Sequence, residues 1–111
     1  LQLYLEGQVA VMTVSREDLE ATGARYDDLD GIVDYARSLV TVEVAILVVE
    51  RGDSLKVSLR SKGADVMRIA QAFGGGGHTV AAGFETESMQ PRELIDRLLQ
   101  TIKEEGVITT R

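Results

Sequence analysis

Four consecutive glycines, Gly74, Gly75, Gly76 and Gly77, run directly into His78, the single histidine of this 111-residue chain. Without Cβ atoms such a stretch takes positive φ angles freely and lets backbone N–H groups converge on an anion, a phosphate above all. Each glycine also costs roughly 0.5–1 kcal/mol in chain entropy relative to alanine in regular structure, more than a simple turn requires. The plainer reading is a helix C-cap followed by a connector. The run matches neither of the two common nucleotide loops, because no Gly-Lys-Ser/Thr closes it and it follows a predicted helix instead of opening one. That helix would present its partly negative end, so donors must come from backbone amides and side-chain cations. His78 either contacts the phosphate or is an ordinary surface or structural histidine.

The cations lie just upstream, in Leu59-Arg60-Ser61-Lys62. Arg60 is the strongest candidate, because a guanidinium grips two phosphate oxygens at once and stays charged when desolvated. Its alternative is a salt bridge to an acid on the neighbouring strand, such as Glu43. Ser61 offers a hydroxyl donor, and Lys62 is either a further contact or a solvated loop lysine. Ala81-Ala82-Gly83 places small residues in a predicted strand, where a ligand, another backbone or a bulky neighbour must fill the space. No catalytic residue and no metal ligand is assigned. One histidine without a nearby acidic or thiolate cluster cannot supply three or four ligands, and Ser58 and Ser61 have no base except that same histidine.

The elements that must position these residues read as β-α-α-β-β-α-β-α, an α/β (α+β) chain with a mixed sheet of four to five strands flanked by helices. Residues 8 to 14 are apolar on both faces, as in a buried strand. Ser15 caps a short helix that Gly23 stops, and a second helix follows Asp27 or Asp28 with Leu29, Ile32, Val33 and Ala36 inward. Val42 to Glu50 is a central strand. It turns through Gly52, Asp53 and Ser54 into Leu55 to Arg60, where Leu55, Val57 and Leu59 alternate with Lys56, Ser58 and Arg60. A helix of about ten residues runs from Asp65, with Val66, Ile69, Ala70 and Phe73 inward, until the glycines break it. Thr79 to Glu85 is a strand, and Pro91 opens a final helix that buries Leu94, Leu98 and Ile102 and ends at Gly106. Residues 107 to 110 are an edge strand or tail. Residues 1 to 111 make one domain. The pattern Leu1, Leu3, Leu5 begins without a methionine, as expected of a piece of something longer.

Composition narrows the function. Residues are 44% hydrophobic and 27% charged, typical of a globular chain. The longest apolar run, Val44 to Val49, is far short of the ~20 residues of a membrane helix, so no membrane partner is expected. The absence of cysteine excludes disulfides and thiolate metal sites and points to a reducing, cytoplasmic compartment. A net charge of −6 argues against wrapping a long polyanion. The charge is uneven, with ten acids and three bases in residues 1 to 50, and five bases and two acids in residues 51 to 82. That second segment has enough positive charge for one or two phosphates.

Taken together, Ser58-Leu-Arg-Ser-Lys62, Asp65-Val-Met-Arg-Ile-Ala70, Phe73-Gly-Gly-Gly-Gly-His78 and Ala81-Ala82-Gly83 resemble the C-terminal DHH-associated domain of the DHH phosphoesterases. The Ala-Ala-Gly-Phe ending is most similar to the oligoribonuclease and 3'-phosphoadenosine 5'-phosphate phosphatase branch, often labelled exopolyphosphatase-related. The resemblance implies a two-domain hydrolase. Its N-terminal domain, carrying Mn2+ or another divalent metal on Asp and His ligands, is absent here, since this chain has no Asp-His-His triplet. This chain would then bind substrate without being active alone. Arg60 and Ser61 would hold a phosphate or sugar, Gly74, Gly75, Gly76 and Gly77 would offer backbone donors, and His78 would meet the phosphate being cleaved. Expected partners are short nucleotide or oligonucleotide phosphates, the missing catalytic domain, and a second copy in a homodimer. The alternative is an RNA-binding or dimerisation module like the related domain of alanyl-tRNA synthetases.

Overall fold

Strand residues Val44 to Val49 are apolar at every position, so both faces of the strand they form must be covered. The computed structural model, which describes residues 1–22, 26–87 and 89–108, covers each face with helices. Its elements are β1 (Gln2–Tyr4), β2 (Val9–Val14), α1 (Arg16–Thr22), α2 (Tyr26–Arg37), β3 (Val44–Arg51), β4 (Ser54–Ser61), α3 (Val66–Ala72), β5 (Gly76–His78), β6 (Ala81–Glu87) and α4 (Pro91–Glu104). One sheet runs β1-β2-β3-β4-β6-β5. Strands β2 and β3 are parallel, joined by the α1–α2 crossover, and the remaining neighbours are antiparallel.

Two cores follow from the alternation of β3. Val44, Ile46 and Val48 join Leu55, Val57 and Leu59 of β4 and Ala82 and Phe84 of β6 beneath α3 and α4, which contribute Val66, Ile69, Leu94, Leu98 and Ile102. Ala45, Leu47 and Val49 turn the other way, onto Leu29, Val33 and Ala36 of α2. Ser15 caps α1 by accepting from the Asp18 amide at 3.0 Å, and Asp65 caps α3 by accepting from the Arg68 amide at 3.3 Å. Gly52, at φ +60°, makes the tight β3–β4 turn that sets the register Arg51↔Ser54.

The α+β class holds, but the sheet has six strands and the order is β-β-α-α-β-β-α-β-β-α. The two extra strands are three-residue edges. Composition cannot reveal β5, because Gly76 and Gly77 have no strand preference and become a strand only by pairing with β6. Thr79 and Val80, expected inside a strand, instead form the turn of this hairpin. Helix α3 has seven residues instead of about ten, and α2 begins at Tyr26, ahead of the aspartates expected to open it. Ile32, at the margin of the α2 stripe, is 46% exposed. Gly23 and residues 109 and 110 lie outside the described residues, while Ile108 packs into the larger core without forming a strand.

Ile46 sits at the centre of the sheet with no exposed surface. Ile46→Ala is expected to lower unfolding free energy by about 2–5 kcal/mol through lost burial and a residual cavity. Urea denaturation checks it, and an unchanged midpoint would contradict the placement of this strand.

Candidate functional site

Helix α2 covers β2 and β3 and reaches β4, but β6 and β5 continue the sheet past it. On that face Lys56, Ser58 and Arg60 of β4 lie beside Glu85, Gly83 and Ala81 of β6, and these lie beside Gly76 and His78 of β5. The result is a shelf whose middle, formed by Gly76, Ala81 and Gly83, carries almost no side chain. A cleft of about 460 Å³ opens over it, lined by Asp30 of α2 and by Lys56, Ser58, Arg60, Gly76, Ala81 and Gly83 among others. Cross-strand partners share a face, so Arg60, Ala81 and His78 form one row across the sheet.

Arg60 is a mostly buried cation of the shelf, with 19% of its side chain exposed. Its Nη1 donates to the Leu59 carbonyl at 3.0 Å. Its Nη2 lies 3.8 Å from Oδ1 of Asp30, and its Nε lies 3.6 Å from Oδ1 of Asp34. Those separations are ionic contacts beyond hydrogen-bond length. The carboxylates facing Arg60 therefore come from α2, and not from Glu43, whose backbone carbonyl instead accepts from the Lys62 amide at 3.1 Å. The one-turn spacing of Asp30 and Asp34 was legible, but not that α2 would lay this flank against β4.

Ser61 points away from the shelf. It is 2% exposed, belongs to the opposite face, and donates its hydroxyl to the Ala64 carbonyl. The structure therefore separates it from Arg60, since consecutive strand residues face opposite ways. Lys62 is tied to the end of the α2 segment, its Nζ donating to the carbonyls of Leu39 at 2.7 Å and Val40 at 3.3 Å. His78 is exposed on the edge strand.

The glycines of the run have different roles. Gly74, at φ +86°, ends α3, its amide donating to Gln71, while the Gly75 amide donates to Ala70 at 2.8 Å. Those two amides are thus committed to the helix end and do not form part of an anion cradle. A Cβ on Gly75 would lie 2.2 Å from the Gly83 carbonyl and 2.5 Å from Cβ of Phe84, which stacks on Phe73 at 4.7 Å. A Cβ on Gly77 would lie 2.6 Å from Cα of Ala82. Gly83 carries a similar constraint, 2.8 Å from the Val57 carbonyl. Gly76 alone of the four has neither a positive φ nor a neighbour within 4 Å of its absent Cβ, and it lines the cleft. The small residues of β6 thus let another backbone approach, and they also leave the shelf bare.

Tertiary pairing also redistributes the positive charge of residues 51 to 82. Arg51 pairs with Glu85 at 3.1 Å, Arg68 with Glu105 at 2.8 Å, and Arg60 faces Asp30 and Asp34. The cations clustered in sequence do not form an unopposed basic patch. Among the described residues no three His, Asp or Glu side chains converge as metal ligands. No described helix is long and apolar enough to cross a membrane.

Compared with known protein families, residues 6–105 of this chain, which include the glycine-built β5–β6 edge and the arginine-bearing β4, match the DHHA1 domain. The chain belongs to the DHHA1 domain family. Its relatives include the bifunctional oligoribonuclease and PAP phosphatase NrnA of Thermus thermophilus, 34% identical over 71% of this chain and 24% of the relative. Among solved structures, an exopolyphosphatase-related protein from Bacteroides fragilis superposes with TM-score 0.81 at 25% identity, covering 94% of this chain and 32% of that one. The C-Ala domain of Aquifex aeolicus alanyl-tRNA synthetase shares the fold, with TM-score 0.62 at 15% identity over 86% of this chain and 87% of that domain. The chain spans about a quarter to a third of the curated relatives it matches.

The glycine geometry orders three substitutions. Gly75→Ala and Gly77→Ala are each expected to cost about 1–3 kcal/mol by forcing β5 off β6, whereas Gly76→Ala leaves the melting temperature close to wild type. Thermal melts of the three variants check this, and equal losses in all three would contradict the separation of roles.

Proposed function

We propose that this domain is the substrate-binding half of a metal-dependent phosphoesterase acting on short oligonucleotides or 3',5'-bisphosphate nucleotides. The observation that carries the proposal is the row Arg60–Ala81–His78 across a Cβ-poor shelf, with Arg60 at its inner end and His78 at its open edge. A guanidinium with N–H donors beyond hydrogen-bond length of its carboxylates is equipped to take a phosphate, and the bare floor of Gly76, Ala81 and Gly83 leaves room for the attached nucleoside. The relative named an oligoribonuclease and PAP phosphatase supports the substrate class. On this reading His78 faces a catalytic domain outside the chain that supplies Mn2+ or another divalent metal, in a cytoplasmic enzyme. The Ser61 hydroxyl holds the Ser61–Ala64 turn and contributes only indirectly.

The RNA-binding or dimerisation reading rests on likeness of fold to the C-Ala domain. The pairing of Arg51, Arg60 and Arg68 with carboxylates gives that reading no broad basic surface.

Titration of the labelled domain with a dinucleotide, followed by amide NMR, is expected to shift Arg60, Gly76 and His78. Arg60→Ala should weaken binding by a charge-assisted hydrogen bond's worth, roughly 1.5–3 kcal/mol. Gly76→Ala should keep the fold yet reduce binding, because its methyl group enters the cleft. An unshifted spectrum at millimolar ligand, or wild-type affinity in Arg60→Ala, would remove the site.

A further inference from the structure

An anion approaching Arg60 meets two carboxylates before it is neutralised. Asp30 and Asp34, one helical turn apart on α2, both aim Oδ1 at the same guanidinium, and Asp30 lines the cleft itself. Asp34 is shared with Arg37, whose Nη2 lies 3.6 Å from the same Oδ1. The immediate surroundings of Arg60 are thus two carboxylates against two guanidinium groups. Further along the shelf, Lys56 stands in register with Glu85, which itself pairs with Arg51. Neither Asp30 nor Asp34 hydrogen-bonds Arg60 among the described residues, so a ligand need not break a bond to reach its donors. It must nevertheless sit close to the Asp30 carboxylate, within about 7 Å when one of its oxygens contacts Nη2 at ordinary charge-assisted length.

We infer that Asp30, backed by Asp34, makes the Arg60 position selective for a singly charged phosphodiester over a doubly charged phosphomonoester. The inference rests on the phosphate-binding reading above. Coulomb repulsion scales with the product of the charges, so a dianion feels about twice the repulsion that a monoanion feels at the same place. The attraction to Arg60 scales likewise, but the two carboxylates offset it. Added negative charge on the ligand therefore brings little net gain at this position, while its stronger hydration must still be stripped away. Of the two substrate classes proposed, this favours an oligonucleotide with an internal diester at Arg60 over a bisphosphate nucleotide with a terminal monoester there. Asp30 touches no reacting atom and acts as a specificity-determining residue.

The test compares adenosine 5'-monophosphate with its singly charged 5'-methyl ester, titrated into the domain at pH 8 and low salt, where the monoester is fully dianionic. Wild type should bind the methyl ester at least as tightly as the monoester. Asp30→Asn removes the charge with little change in shape. Because the gain scales with ligand charge, a rise of about threefold for the methyl ester should accompany one of about tenfold for the monoester. The difference should shrink as salt screens the carboxylate, which is 55% exposed. Equal gains for both ligands would overturn the charge selectivity while leaving the phosphate site standing. Losses for both would show that Asp30 only holds Arg60 in place, which also overturns it. Failure of either ligand to bind wild type or variant would overturn the phosphate site and, with it, this inference.

Discussion

Burial of β3 on both faces is the constraint from which the remaining architecture follows. A strand of Val-Ala-Ile-Leu-Val-Val cannot leave either side in water, so the chain needs a helical layer above and below it. Helices α3 and α4 meet that need across much of one face. On the other face α2 seats Leu29, Val33 and Ala36 on β2 and β3 and ends its coverage at β4. The sheet continues beyond it as β6 and β5, and the step between the helix and the uncovered strands is the cleft. Arg60 stands at that step because it alternates with Leu59, which the opposite core holds.

The uncovered strands stay in place through an unusual absence of side chains. Gly75 and Gly77 lie so close to β6 that a single methyl group would collide with its backbone or with Phe84, and Gly83 lies as close to β4. A three-residue edge strand has few ladder hydrogen bonds, so this close approach of backbone to backbone substitutes for the cross-strand side-chain packing that usually stabilises a sheet. The same economy of atoms leaves the shelf flat and open. Gly76 shows the distinction, since it has no neighbour to avoid and borders only the cleft.

Electrostatics at the shelf is local, and it does not follow the sum of charges along the chain. The positive segment between residues 51 and 82 meets acids from outside it, namely Asp30 and Asp34 from α2, Glu85 from β6 and Glu105 from the end of α4. The Arg51–Glu85 and Arg68–Glu105 pairs are about half exposed and contribute little stability individually. Around Arg60, two carboxylates of α2 lie 3.8 and 3.6 Å from the guanidinium.

Much of the fold was legible in the residues. Two-sided apolar runs announced the buried strands, the Leu55–Arg60 alternation put Arg60 opposite the core, and Ser15, Asp65, Pro91 and Gly106 marked helix ends through local backbone chemistry. These signals are local, so the sequence by itself determined them, along with the family and the candidate residues Arg60, Gly74 to Gly77 and His78. Only the tertiary structure decided which candidates meet. Face alternation in the folded sheet placed Ser61 in the opposite core, pairing with β6 turned half of the glycine run into a strand, and the seating of α2 brought Asp30 and Asp34 to Arg60. The physical reason is the same in each case. Strand pairing and ion pairing join residues far apart in the chain, and their partners are chosen by how whole elements pack.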